Sequence, residues 1–173
     1  MVNLSMTTNL STAPQERCSV PEALQAPPQL YRCLAVSLLE QRRRLIELAA
    51  LDADWLPVVV ADGSALVRQA FLFRADLLWI DLPENPCSAD ESRLNLEQAV
   101  ESVLAICPGL LVVSGSDASG SEETWARSLG AWAYLPEART PLQLTSVFSD
   151  VRNAIRRLNA RRDELESATW RGS

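Results

Sequence analysis

From Leu30 onward the chain repeats one pattern five times: a short, uninterrupted apolar run, then a longer stretch whose apolar positions recur at helical spacing. Tyr31–Ser37 (YRCLAVS) reads as a strand. A helix follows over Glu40–Ala53, carrying Leu45, Ile46, Leu48, Ala49 and Leu51. Trp55–Ala61 (WLPVVVA) is a second strand, and Asp62 stands where an N-cap opens a helix over Ser64–Arg74. Asp76–Leu82 (DLLWIDL) is a third strand, stopped by Pro83. The polar loop Glu84–Ser92 leads to a helix over Leu94–Ile106, which Pro108 and Gly109 end. Leu110–Ser114 is a fourth strand, Ser116–Ser121 a loop, Glu122–Leu129 a short helix and Ala131–Leu135 a fifth strand. Pro141 to about Ser167 forms a long last helix.

Strands that are apolar along their whole length are covered on both faces, which is the situation of parallel sheets. Five β-α units built on such strands predict an α/β fold: a doubly wound, five-stranded parallel sheet with an extended C-terminal helix. Residues 1–28 are rich in Ser, Thr, Asn, Gln and Pro without periodicity and read as a flexible tail. Residues 29–158 form the domain, and 159–173 a C-terminal helical extension. In the last helix Val147, Val151, Ala154, Leu158 and Leu165 fall on one stripe, so its first half covers the sheet and its second half runs past it.

Two absences restrict the chemistry. The chain has no histidine, and all 16 basic residues are arginine. Without imidazole there is no His general base, no Ser/His or Cys/His nucleophile pair and no His metal ligand. Without lysine there is no Schiff base and no phosphate-loop lysine. The segment after the first strand, SLLEQ, is no Gly-rich phosphate loop either. The expectation is a non-enzyme without metal or cofactor.

A net charge of −6 argues against nucleic acid as a partner. Arg42–Arg44 and the group Arg152, Arg156, Arg157, Arg161 and Arg162 read as solvated helix faces. No signal peptide or membrane span is legible, so the expected location is cytoplasmic, with Cys18, Cys33, Cys87 and Cys107 reduced.

In doubly wound sheets, function gathers at the carboxyl ends of the strands. Four segments there carry a resemblance. They are Asp62-Gly63-x-Ala65-Leu66, Asp76-Leu-Leu-Trp-Ile-Asp81-Leu-Pro83, Leu111-Val-Val-Ser114-Gly115 and Gly130-Ala131-x-x-Tyr134-Leu135. In this order, the chain from about Leu30 to Arg157 resembles the receiver domain of two-component response regulators. The resemblance implies a flavodoxin-like fold. It makes Asp81 the equivalent of the phosphoacceptor, Ser114 that of the hydroxyl touching the phosphoryl group, and Tyr134 that of the aromatic switch.

The departures from that pattern are as informative. Receivers hold Mg²⁺ with an acidic pair after the first strand, where this chain has Ser37 and Leu38; Glu40 is the nearest acid. They neutralise the phosphoryl group with Lys-Pro after the fifth strand, where this chain has Glu137-Ala138. At ~4 Å and an effective dielectric of ~20, reversing one charge partner shifts the energy by several kcal/mol. The resemblance therefore implies a degenerate receiver, in which Asp81 is a polar residue ending a buried strand, capped by a neighbouring loop; as an unpaired leftover it would leave stability unchanged or slightly raised in Asp81→Asn, whereas a loss above roughly 2 kcal/mol would mark it as hydrogen-bonded or paired. Trp79 and Tyr134 read as core aromatics.

The expected function is a phosphorylation-independent protein-interaction module in signalling. It binds a protein partner or a second copy through the fourth helix, fifth strand and fifth helix, with Trp125, Trp132, Arg152 and Arg156 as interface candidates. The alternatives are an atypical receiver phosphorylated on Asp81, and a small flavodoxin-like ligand-binding domain or enzyme.

Overall fold

The computed structural model describes residues 30–83, 90–116, 120–138 and 140–170; the tail expected over 1–28, with Cys18 and Cys87, lies outside them. Ten elements alternate: β1 (Tyr31–Ser37), α1 (Glu40–Asp52), β2 (Trp55–Val60), α2 (Gly63–Leu72), β3 (Leu77–Asp81), α3 (Asp90–Leu104), β4 (Leu110–Gly115), α4 (Ser121–Ser128), β5 (Ala133–Pro136) and α5 (Pro141–Trp170). The strands pair in the order β2-β1-β3-β4-β5, every pair parallel. This is the doubly wound, flavodoxin-like arrangement expected.

Because successive strand residues point to opposite faces, each apolar strand feeds two cores. Cys33, Ala35, Leu77, Trp79 and Val112 meet Ile46 and Ala49 of α1 and Leu144, Phe148 and Val151 of α5. Leu34, Val36, Leu78, Ile80, Leu111 and Val113 meet Leu66 of α2, Leu96, Val100 and Val103 of α3 and Ala126 of α4. On the first face the Phe148 ring stacks on Trp79 at 4.9 Å and touches Trp55 at 5.8 Å, while the Trp55 Nε1 donates to the Phe148 carbonyl at 3.2 Å.

The buried stripe of α5 is therefore Leu144, Phe148, Val151 and Ile155. Of the stripe expected from sequence only Val151 is fully buried, while Leu158 and Leu165 are exposed. The stripe sits one position over because Phe148 seats between the two tryptophans. Arg152 is not a solvated side chain: it donates to the Ala53 carbonyl at 2.8 Å and pairs with Asp54, tying α5 to the end of α1.

On the opposite face α2 and α3 come close at Gly63, where an added Cβ would lie 2.8 Å from the Ala99 Cβ. Asp62 is the N-cap expected, its Oδ1 accepting from the Ala65 N–H at 2.8 Å.

Candidate functional site

The parallel register aligns Ser37 of β1 with Asp81 of β3, and Asp81 with Ser114 of β4. The carboxyl-terminal ends of three adjacent strands thus form one row, with these side chains on the face covered by α1 and α5, as for Trp79 two residues before Asp81. All three are buried, Asp81 to 4% exposure. The Ser37 Oγ donates to Asp81 Oδ2 at 2.7 Å and the Ser114 Oγ donates to Asp81 Oδ1 at 2.7 Å. Trp79 completes the row from beneath, its Nε1 donating to the Ser114 Oγ at 3.0 Å.

Asp81 is not an unpaired leftover. Arg42, in the first turn of α1, lays its guanidinium on the carboxylate: Nη2 donates to Oδ1 at 2.7 Å and Nε lies 3.3 Å from both oxygens. Its Nη1 donates to the Ala138 carbonyl at 2.8 Å, in the connection from β5 to α5. Arg43 braces the same corner, donating to the carbonyls of Ser37 and Leu38. The reading of Arg42–Arg44 as a solvated face thus fails for Arg42 and Arg43 and holds for Arg44, which is exposed and pairs with Glu40.

The remaining expected site residues divide. Glu137 stands at the rim of a cleft lined by Leu39, Arg42, Asp81, Leu82, Gly115 and Ala138, itself exposed and in left-handed conformation (φ 54°). The positive charge beside Asp81 is present, supplied from α1 and not from the end of β5. Leu38 turns away, to the groove between α2 and α3. Glu40 belongs to Arg44.

Tyr134 joins a second polar cluster. Its hydroxyl donates to Glu122 Oε2 at 3.0 Å, the same oxygen that accepts from the Ser116 N–H, and Arg93 of α3 reaches Oε1 at 3.3 Å. Glu122 approaches Gly115 so closely that a Cβ there would meet Oε2. Neither Glu122 nor Arg93 stood out in sequence. The available signal was position: Glu122 lies one helical turn before the buried Ala126.

Trp125 is half-buried against the core of the α2–α3–α4 face, so it is no exposed anchor. Trp132 is 44% exposed, on a cleft of about 410 Å³ bounded by Glu123, Arg127 and Tyr134. Arg156 is exposed on α5.

A receiver site is completed by Mg²⁺, and these residues do not fit it. The Asp81 oxygens accept from Arg42 and two hydroxyls, and the positions of the acidic pair hold Ser37 and Leu38. The free volume beside Asp81 is about 10 Å³, room for one water at most, whereas Mg²⁺ keeps several waters in an octahedral shell. Among the described residues no group of three Cys, Asp or Glu side chains is placed to hold a metal ion. No helix among them is long and apolar enough to cross a membrane.

No family model matches the chain, and no curated protein matches it in sequence. Solved structures do match. The chemotaxis protein CheY4 of Vibrio cholerae is similar over 71% of this chain and 99% of its own, at 17% identity and a TM-score of 0.59. A response regulator receiver domain protein from Clostridium thermocellum is similar over 75% and 99%, at 14% identity and a TM-score of 0.60. The receiver domain of AraT, a response regulator from Geobacillus stearothermophilus, is similar over 76% and 99%, at 20% identity and a TM-score of 0.58. The receiver fold expected from the four sequence segments is the fold observed.

Proposed function

We propose that this chain is a receiver-fold signalling module in which an internal ion pair has taken over the phosphorylation site. It binds its protein partner constitutively and catalyses no reaction. The observation that carries this reading is the Arg42 guanidinium bonded to both oxygens of Asp81 and to the Ala138 carbonyl.

Phosphoryl transfer to a carboxylate needs an accessible oxygen lone pair and cations to offset the charge that develops. Here the lone pairs are engaged and the one cation is already neutralised by the carboxylate itself. Arginine suits the role because it stays charged and binds carboxylates in a fixed fork. The partner surface is the face of α4, β5 and α5, with Trp132 as its aromatic anchor and Arg156 at its rim. Trp125 and Arg152 are structural on this reading. The free, buried thiols of Cys33 and Cys107, both raised above the ordinary thiol range by burial, suit a cytoplasmic protein.

The test is incubation with acetyl phosphate and Mg²⁺, followed by intact mass. The unmodified mass is expected throughout. A Mg²⁺-dependent gain of one phosphoryl group, absent from Asp81→Asn, would overturn the reading in favour of an atypical phosphorylated receiver.

A further inference from the structure

Among the described residues the sheet ends at β2 on one side and at β5 on the other, and the two edges differ. β2 contains Pro57, which has no N–H to offer a further strand. It is also apolar toward both faces, with Val58 and Val60 against one core and Val59 against the other. At β5, Trp132 gives its N–H to the Leu111 carbonyl and so faces β4. Peptide groups alternate sides along a strand, which turns the N–H and C=O groups of Ala133 and Leu135 outward. Neither residue is proline, both are half-buried, and among the described residues no backbone group pairs with them on that side.

The ground on either side of this edge is unlike. On the α5 side a cleft of about 310 Å³ is lined mainly by Leu135, Pro136, Ala138 and Val147. On the α4 side the cleft of about 410 Å³ presents the Glu123–Arg127 ion pair beside Trp132 and Tyr134. Successive residues of a strand point to opposite faces. A strand added at β5 therefore sets every second side chain against apolar surface and the others against polar surface.

Residues 2–11 have that period. The segment before the domain lacks helical spacing, but here Val2, Leu4, Met6, Thr8 and Leu10 interleave with Asn3, Ser5, Thr7, Asn9 and Ser11. Strict alternation is the pattern of a half-buried strand, and this run contains neither proline nor charge. The four prolines that precede β1 all fall in residues 12–29. Those 18 residues reach up to about 60 Å, against about 19 Å for the four strand spacings from β1 to a strand beyond β5.

We propose that residues 2–11 pair with the open edge of β5 as a sixth strand, with Val2, Leu4, Met6 and Leu10 on the α5 side. This contact does not depend on how Asp81 is read.

Amide exchange of the full chain, read residue by residue by NMR, tests it, with far-UV circular dichroism confirming that each variant is folded. The Ala133 and Leu135 amides are expected to exchange at least tenfold more slowly in wild type than in Leu4→Asp with Met6→Asp. Tyr134, which faces β4, should be the same in both. Ser5→Gln with Thr7→Gln, on the polar side, should keep the slow exchange. Should the aspartates unfold the chain, Leu4→Ser with Met6→Ser makes the same comparison. Fast exchange at Ala133 and Leu135 in wild type overturns the proposal, as does protection that survives the Leu4 and Met6 changes. Protection that rises with protein concentration would assign the edge to a second copy instead. Protection at Val59 that the Leu4 and Met6 changes remove would place the segment on β2.

Discussion

Asp81 is held by more partners than any other side chain at the strand ends, and each answers a cost that burial imposes. A buried carboxylate without partners costs several kcal/mol, whereas one with two hydroxyl donors and a guanidinium is compensated. Removing one side of the pair strands the other, because Arg42 is only 17% exposed. Asp81→Asn is expected to lose about 2–4 kcal/mol of unfolding free energy, and Arg42→Met a similar amount. The double variant should lose clearly less than the sum, since both single changes remove one interaction. Urea melts of the four proteins measure it; an Asp81→Asn protein as stable as wild type would show that the pair contributes nothing to the folded state. The aspartate and both serines were legible in sequence because they end apolar strands, and strand ends align when a sheet is parallel. Arg42 was not, since it lies 39 positions from Asp81 inside a run of three arginines. One clue existed: Arg42 is in helical phase with Ile46, Ala49 and Ala53, the buried stripe of α1 and its cap.

Among the elements, α2 shows what local sequence decides and what it leaves to packing. Its start is chemical: the Asp62 carboxylate accepts from Ala65 N–H and the Ser64 hydroxyl, and these hydrogen bonds hold its carboxyl below the ordinary range. A lowered pKa means that the cap stabilises fully above the unfolded value of about 3.9 and loses its contribution as pH falls through the folded value. Asp62→Ala is expected to cost about 1 kcal/mol at neutral pH, and Asp62→Asn to keep most of the cap while flattening the acid limb of the stability curve. Melts at neutral pH and near pH 3 separate the two. The side of α2 is set by packing: Gly63→Ala pushes a methyl into Ala99 and the Asn95 carbonyl, and should cost about 1–3 kcal/mol. The cap could be read from Asp62 and Ser64 alone, but the contact could not, because Gly63 and Ala99 meet only once the sheet exists. The same limit explains β5, expected from Ala131 but beginning at Ala133. The left-handed Gly130 and the bond from Ala131 N–H to the Ala126 carbonyl close α4 first.

Taken as a whole, the molecule has both sides of β5 tied to the rest without any added ligand. Arg42 joins the Ser37–Asp81–Ser114 row to Ala138, at the entrance to α5. Glu122 joins Tyr134 to the β4–α4 connection and, through Arg93, to α3. A ligand can shift a conformational equilibrium only by its difference in affinity for the two states, and on the function proposed above Asp81 is already engaged by Arg42, Ser37 and Ser114. Amide hydrogen exchange over α4, β5 and the first turns of α5 should therefore be the same with and without acetyl phosphate and Mg²⁺. Cutting the tie from inside should have the effect that the ligand lacks. Arg42→Ala is expected to speed exchange at Glu137, Ala138 and the first turn of α5, by roughly tenfold for each 1.4 kcal/mol of local stability lost. The α2–α3 face, which Arg42 does not touch, should keep its wild-type rates relative to global unfolding. Faster exchange spread evenly over both faces would mean that Arg42 supports the fold as a whole and not this corner; a change on adding acetyl phosphate and Mg²⁺ to wild type would mean that the site still senses them.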